Sequence, residues 1–256
     1  MIDPRAIVSP QAELAQDVEV GPYSIVGPDV SIDAGTHIGS HVVVNGPCRI
    51  GRDNRIFAFC AIGGESQDKK YRGEQALLEI GDRNTIREFC TLNRGTQGGG
   101  GTTRVGDDNW IMAYVHIAHD CRIGSHVTMA NNTTLAGHVL VEDFATLGGF
   151  AKVHQFCRVG AYSFCGMDSG LTRDLPTYVL AAGRMAVPKG INSEGLQRHA
   201  FTDEQIRNIR NAYKLLYRSE LKLEEAIAEL AALSAEQPEL ERLVSFLRGS
   251  ERSIIR

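Results

Sequence analysis

Five of the eight histidines fall between positions 116 and 154: His116, His119, His126, His138 and His154. Imidazole is both the commonest metal ligand and the side chain that takes up or releases a proton near neutral pH. The cluster therefore suits either a metal site or acid–base catalysis. Asp120 directly follows His119, where a carboxylate could hold the ring or stabilise its charge. A Ser/His/Asp hydrolase is conceivable, but there is no G-x-S-x-G elbow.

What positions these residues is a repeat of six. An aliphatic residue recurs at every sixth position from Val8 through Ile62, and a Gly often follows it. The series resumes at Ile80, Ile86 and Leu92, and again, one residue out of phase, from Val105 through Leu171. A period of six is neither helical nor a simple alternating strand. It fits a solenoid of triangular cross-section, in which each hexapeptide makes one side and one corner and three make a turn. The fifth position of each hexapeptide also faces inward and must be small. Cys48, Cys60, Cys90, Cys121 and Cys157 fall there, and Cys165 takes an aliphatic position. These cysteines are expected to pack as small hydrophobes. Cys121 then points into the core, and a covalent nucleophile is not expected.

Residues 18 apart stack directly, at the roughly 4.8 Å spacing of paired strands. One column is His119, Gly137, Gln155 and Arg173; the next is Asp120, His138, Phe156 and Asp174. A third holds Ala118, Ala136, His154 and Thr172, and His116 lies above Thr134 and Lys152. Four of the five histidines, all but His126, thus gather around one edge. The spacing of His116 and His119 spans a corner rather than a helical turn, which is weak support for a metal. Gly137, stacked beside His119, leaves a backbone N–H open to a developing oxyanion.

Two stretches break the repeat, residues 64–79 and the Gly-rich 94–104, and both read as expelled loops. The Gly run lacks the Lys-Ser/Thr ending of a phosphate-binding P-loop and reads as flexible. Beyond Pro176 the repeat fades. From Thr202 the period becomes helical, with Thr202 and Gln205 forming a capping box. Ile206, Ile209, Tyr213 and Leu216 make one apolar stripe, Leu223, Ala226, Ile227 and Leu230 a second, and Pro238 opens a third helix. The expected architecture is a parallel β-helix over 1–185 and an α-helical domain over 186–256 that covers the open end of the solenoid.

The formal charge of −4 carries no basic signature, so nucleic acid is not expected as a partner. There is no run of 18 apolar residues for a transmembrane helix, and the opening MIDPRAIVSP does not read as a signal peptide. A cytoplasmic location is expected.

The strings HIAHD (116–120), NNTTLAGHV (131–139), VHQFCRVGA (153–161), QDKKYRGE (67–74), IREFCTLNRGT (86–96), GINSEGLQR (190–198) and IRNAYKLLYRS (209–219) are together more specific than the repeat. They resemble the UDP-N-acetylglucosamine O-acyltransferases, hexapeptide-repeat transferases of lipid A biosynthesis, over nearly the whole chain. The resemblance implies a left-handed coil, a hand that the period itself does not reveal. It implies transfer of a 3-hydroxyacyl group from acyl carrier protein to the 3-hydroxyl of UDP-N-acetylglucosamine, by a homotrimer with sites between subunits and with no cofactor or metal. By motif, His119 is the general base and the Gly137 N–H the oxyanion donor. His116, His138, His154 and Gln155 position donor and sugar. Gln67, Asp68 and Lys70 contact the sugar and its phosphates, and Asn192, Glu194 and Arg198 hold the uridine end.

Two positions depart from the family. Asn93 stands where many members have His, and His199 where many have a second Arg. In the column Ala113, Asn131, Gly149 and Met167, the long Met167 takes a place where longer-chain enzymes tend to have Gly. A shorter donor, closer to 3-hydroxydecanoyl than to 3-hydroxymyristoyl, is the expectation, with Met167 as the acyl-length ruler. Lys152, Arg158, Arg173, Arg184 and Lys189 are candidates for docking the acidic carrier protein. Rival readings are an N-acyl or acetyl-CoA-dependent hexapeptide transferase, a zinc enzyme of the β-helical carbonic anhydrase type, and a scaffold without catalysis.

Overall fold

The structure, a computed structural model, describes residues 1–256. Successive short strands lie in three different sheets, and through Gly170–Leu171 each pairs in parallel with the strand three before or after it. The first face has nine strands, from Ile7–Val8 to Gly170–Leu171; the second has eight, from Glu13–Leu14 to Arg158–Val159. The third has ten and begins at Glu19–Val20. This is the expected left-handed parallel β-helix, and the register follows the columns: His116 pairs with Thr134, and Thr134 with Lys152. The turn from first to second face is called here the first corner, from second to third the second corner, and from third to first the third corner.

Stacking explains why the sequence folds this way. The aliphatic of each hexapeptide and the residue two before it fill the interior; Cys121 with Ile123 and Val115 with Ile117 are examples, all at most 4 % exposed. Burying such an aliphatic contributes about 1.5–3 kcal/mol each. The smaller inward position also serves the corner, where bending leaves backbone groups without ladder partners. The Ser24 hydroxyl donates to the Gly39 carbonyl at 2.7 Å and accepts from the Val42 N–H at 3.0 Å. Asn54, Asn84 and Asn109 form a buried ladder of the same kind. The Cys121 thiol donates to the Ala136 carbonyl at 3.1 Å. All six cysteines are buried and free, as their position in the repeat requires. Burial pushes the Cys121 thiol up to about 12, which removes it as a nucleophile.

Each corner carries a residue with left-handed backbone, among them Tyr114, Asp120, His138 and Phe156 at φ 63°, 59°, 62° and 65°. Such values are uncommon outside glycine. They persist here because the coils above and below fix them.

Both expelled loops leave from the first corner. They are shorter than expected, 65–76 and 94–101. Their ends are strand, Ala61–Gly64, Leu77–Ile80 and Thr102–Val105. Those strands pair with neighbouring coils, as Leu77 does with Thr102.

The last coil ends in strand Val179–Ala182, which turns back as an antiparallel hairpin with Val187–Ile191. Helices α1 (Ser193–Arg198), α2 (Asp203–Arg218), α3 (Leu223–Leu233) and α4 (Glu241–Arg248) follow. The capping box at Thr202 and Gln205 is formed. Pro238 begins a 3-10 turn that runs into α4 rather than opening the α-helix itself. Leu196, Ile209, Leu216, Leu230 and Leu243 pack with Tyr178 in a second core.

Candidate active site

The first corner collects most of the candidate residues, coil by coil. Loop 65–76 carries Gln67, Asp68 and Lys70, and loop 94–101 follows one coil on. The next corners present His119 with Asp120, Gly137 with His138, and His154 with Gln155.

At the centre, His119 Nδ1 lies 2.8 Å from Asp120 Oδ2. The imidazole is largely covered and the carboxylate is fully buried. Asp120 Oδ1 accepts from the Thr96 N–H at 2.9 Å and Oδ2 from the Thr96 hydroxyl at 2.7 Å. A carboxylate with such donors on both oxygens serves as an acceptor, so the proton of a neutral His119 sits on Nδ1. Nε2 then keeps its lone pair, as a general base requires. The ring lies over Gly137, where a Cβ would be 2.5 Å from Cε1 and 2.6 Å from Nε2 of His119. The Gly137 N–H makes no hydrogen bond within the chain.

His138 meets His119 edge to face at 5.1 Å and stacks on Phe156 at 4.4 Å. Its Nε2 is 3.9 Å from Asp120 Oδ2. Burial lowers its pKa, the Asp120 charge opposes that shift, and His119 adds to it. On the adjoining first face, His116 Nδ1 is 2.7 Å from the Thr91 hydroxyl, and its pKa is also lowered, by burial and then by His119. Asp68 is held below the usual carboxylate range, first by the Lys70 N–H and also by His119 and His138, which places loop 65–76 in the electrostatic field of the histidines. His154 is exposed, with Nδ1 3.2 Å from the Gln155 carbonyl.

His119, Asp120 and His138 are spaced closely enough to suggest a metal site, with one ligand atom from each within 4.8 Å of the others. Two atoms bound tetrahedrally to one zinc at about 2.0–2.2 Å would stand roughly 3.4 Å apart. The 2.8 Å between His119 and Asp120 is a hydrogen-bond distance instead.

Other candidates lie elsewhere. Asn192 caps α1, accepting from the Gly195 N–H, and donates to the Tyr162 carbonyl at the second corner. Glu194 and Arg198 pair across one turn of α1 at 3.5 Å, both exposed. His199 packs edge-on against Phe144 and Tyr162, so it acts there as an aromatic wedge. Met167 is on the third corner, 77 % exposed. About 16 Å of extended chain separates successive corners, and His119 and Met167 stand on different corners of the chain. Grooves of about 720 and 770 Å³ open along the second face and beside α2, and neither contains a candidate histidine.

Asn93 donates to the Glu65 carbonyl at 2.7 Å and ties the root of one loop to the other. Of the cations considered for docking, Lys152 and Arg184 are paired with Asp168 and Arg158 with Glu142; Arg173 and Lys189 have no ion-pair partner. Sequence reasoning passed over Thr96, Thr103 and Thr91. The signal for Thr96 was the glycine run around it, which allows the loop to approach Asp120 closely.

Residues 174–255 match the second domain of the UDP-N-acetylglucosamine O-acyltransferases, and residues 11–46 and 102–137 match the bacterial transferase hexapeptide repeat. Two proteins named acyl-[acyl-carrier-protein]–UDP-N-acetylglucosamine O-acyltransferase are similar along their whole length. That of Halorhodospira halophila is 55 % identical, with 100 % of this chain and 99 % of the relative covered; that of Herminiimonas arsenicoxydans is 56 % identical with the same coverage. The solved structure of LpxA from Acinetobacter baumannii superposes with a TM-score of 0.98 at 44 % identity, covering 100 % of this chain and 99 % of that one. With the repeat, the helical domain and the full length all matched, the chain belongs to the family of acyl-[acyl-carrier-protein]–UDP-N-acetylglucosamine O-acyltransferases.

Proposed function

We propose that the chain performs its family's reaction by direct, general-base transfer. The protein is an acyltransferase that moves a 3-hydroxyacyl group from acyl carrier protein to UDP-N-acetylglucosamine, the first step of lipid A biosynthesis. The observation that carries the mechanism is the His119–Asp120 pair, with Nδ1 engaged and Nε2 available. In this reading His119 Nε2 takes the proton of the sugar 3-hydroxyl as its oxygen attacks the thioester carbonyl. The tetrahedral oxyanion is met by the Gly137 N–H. Collapse breaks the C–S bond, and the His119 proton leaves with the carrier thiolate as thiol. Asp120 stabilises the imidazolium between these steps. His116, His138, His154 and Gln155 line the first corner as positioning groups, with Gln67, Asp68 and Lys70 contacting sugar and phosphates from the loop above.

A complete site needs a second wall, and a homotrimer supplies it. In this reading Asn192, Glu194 and Arg198 for the uridine and Met167 for the acyl terminus come to His119 from a neighbouring copy. The third corner is suited to such packing: Tyr23, His41, Phe59, Phe89 and Tyr114 form an exposed ladder of stacked rings 4.8–5.1 Å apart. A cytoplasmic location agrees with six free thiols; no helix is long and apolar enough to cross a membrane.

Mass spectrometry of the product tests the reading. Incubation with 3-hydroxyacyl carrier protein and UDP-N-acetylglucosamine should give the 3-O-acylated sugar nucleotide. Preference for acetyl-CoA, or for an amino sugar as acceptor, would favour a different hexapeptide transferase.

A further inference from the structure

The deepest group of the site is Asp120, and what holds it is the Gly-rich loop expelled one coil earlier. Thr96 reaches both carboxylate oxygens, its N–H to Oδ1 at 2.9 Å and its hydroxyl to Oδ2 at 2.7 Å. That same Oδ2 receives His119 Nδ1 at 2.8 Å. From behind, the Thr103 hydroxyl accepts the Asp120 N–H at 2.7 Å. The loop closes so tightly that a side chain at Gly99 would collide with the carboxyl group, and a Cβ at Gly95 would lie 2.8 Å from Oδ1.

We propose that Thr96 is a positioning residue for acyl transfer, acting through Asp120 on the orientation and tautomer of His119; this rests on His119 being the general base. The carboxyl torsion of an Asp is broad and roughly two-fold. Two donors from one residue, one on each oxygen, fix its plane. Without the Thr96 hydroxyl the carboxylate is free to turn toward His138, whose Nε2 is 3.9 Å from Oδ2. His119 then loses the acceptor that keeps its proton on Nδ1. The glycines at 95 and 99 are what this contact demands of the loop. Thr96 touches no substrate in this account, so its loss slows the chemical step and spares binding.

The test is steady-state kinetics of Thr96→Val and Thr96→Ser beside His119→Ala. Valine keeps the shape and the N–H but loses the hydroxyl. The expected result is a kcat lower by about 10- to 100-fold, by analogy with the loss of an outer partner that orients a metal-bound imidazole. KM for UDP-N-acetylglucosamine should be unchanged, and the melting temperature should fall by only a few degrees for the buried hydrogen bond lost, so rates are compared well below it. Serine should restore most of the rate. In an Asp120→Asn background, Thr96→Val should add no further loss, because the two act as one unit. A Thr96→Val enzyme with wild-type kcat, a serine variant as slow as valine, or full additivity with Asp120→Asn would overturn the proposal. A misfolded valine variant still leaves the serine comparison and Gly99→Ala, whose Cβ would press on the same carboxylate and should also lower kcat; a wild-type kcat there would count against the role. An active His119→Ala would remove the general-base reading itself, whereas an inactive His119→Ala with a full-rate Thr96→Val would remove only the role of Thr96.

Discussion

The imidazole of His119 rests on the backbone of Gly137, so closely that a Cβ at 137 would stand 2.6 Å from Nε2. One glycine thereby leaves room for the imidazole and keeps an N–H open beside it. Gly137→Ala should fold, since its backbone is not in the left-handed region. It keeps the N–H but its Cβ would displace the His119 ring, and should lower kcat by about 10²-fold, the scale of misplacing a reacting group by an ångström. Kinetics paired with a thermal melt checks this.

Met167 is proposed to set acyl length from a neighbouring copy, because it is exposed in the single chain. Met167→Gly should shift preference from 3-hydroxydecanoyl toward 3-hydroxymyristoyl carrier protein. A chain-length profile measures it, and an unchanged preference would remove Met167 as the ruler.

A site shared between copies, as proposed, makes a prediction about mixed assemblies. The protein should sediment with the mass of three chains of 27.9 kDa. His119→Ala and Arg198→Ala chains, each inactive alone, should regain activity when co-assembled, in about a quarter of sites if mixing is random and each site draws on two copies. No recovery would place both residues in one chain's site.

Stability should fall in mild acid. Burial lowers the pKa of His116 and His138 below the usual 6.5. Near pH 6 the unfolded chain therefore binds more protons than the folded one at these sites. Their contribution is complete above about pH 6.5 and is lost as pH falls through the lower folded-state values. A His116→Gln/His138→Gln double variant should show a flatter dependence of melting temperature on pH between about 7 and 5. An unchanged slope would show that these rings do not carry the linkage.

The period of six makes much of this molecule readable, because a strict repeat fixes both the inward face and the vertical neighbours. Stacking of His116 on Thr134 and the burial of Cys121 follow from counting alone. The hand of the coil came from the family likeness, since a six-residue period serves either hand. Helix α1 escaped because six residues are too few for a helical period. The Gly-rich loop reads as flexible from its sequence, but glycine marks close approach as well as freedom, and the partner of Thr96, Asp120, is 24 residues away. The place of α1 against the second corner is not legible in the same way, because α1 lies outside the repeat.

The central claim is that His119 is the base of a direct transfer. Measuring formation of the 3-O-acylated sugar nucleotide by wild type and His119→Ala tests it most directly. The expected result is a loss of at least about 10²–10³-fold in kcat for the folded variant. Retention of most of the activity would contradict it.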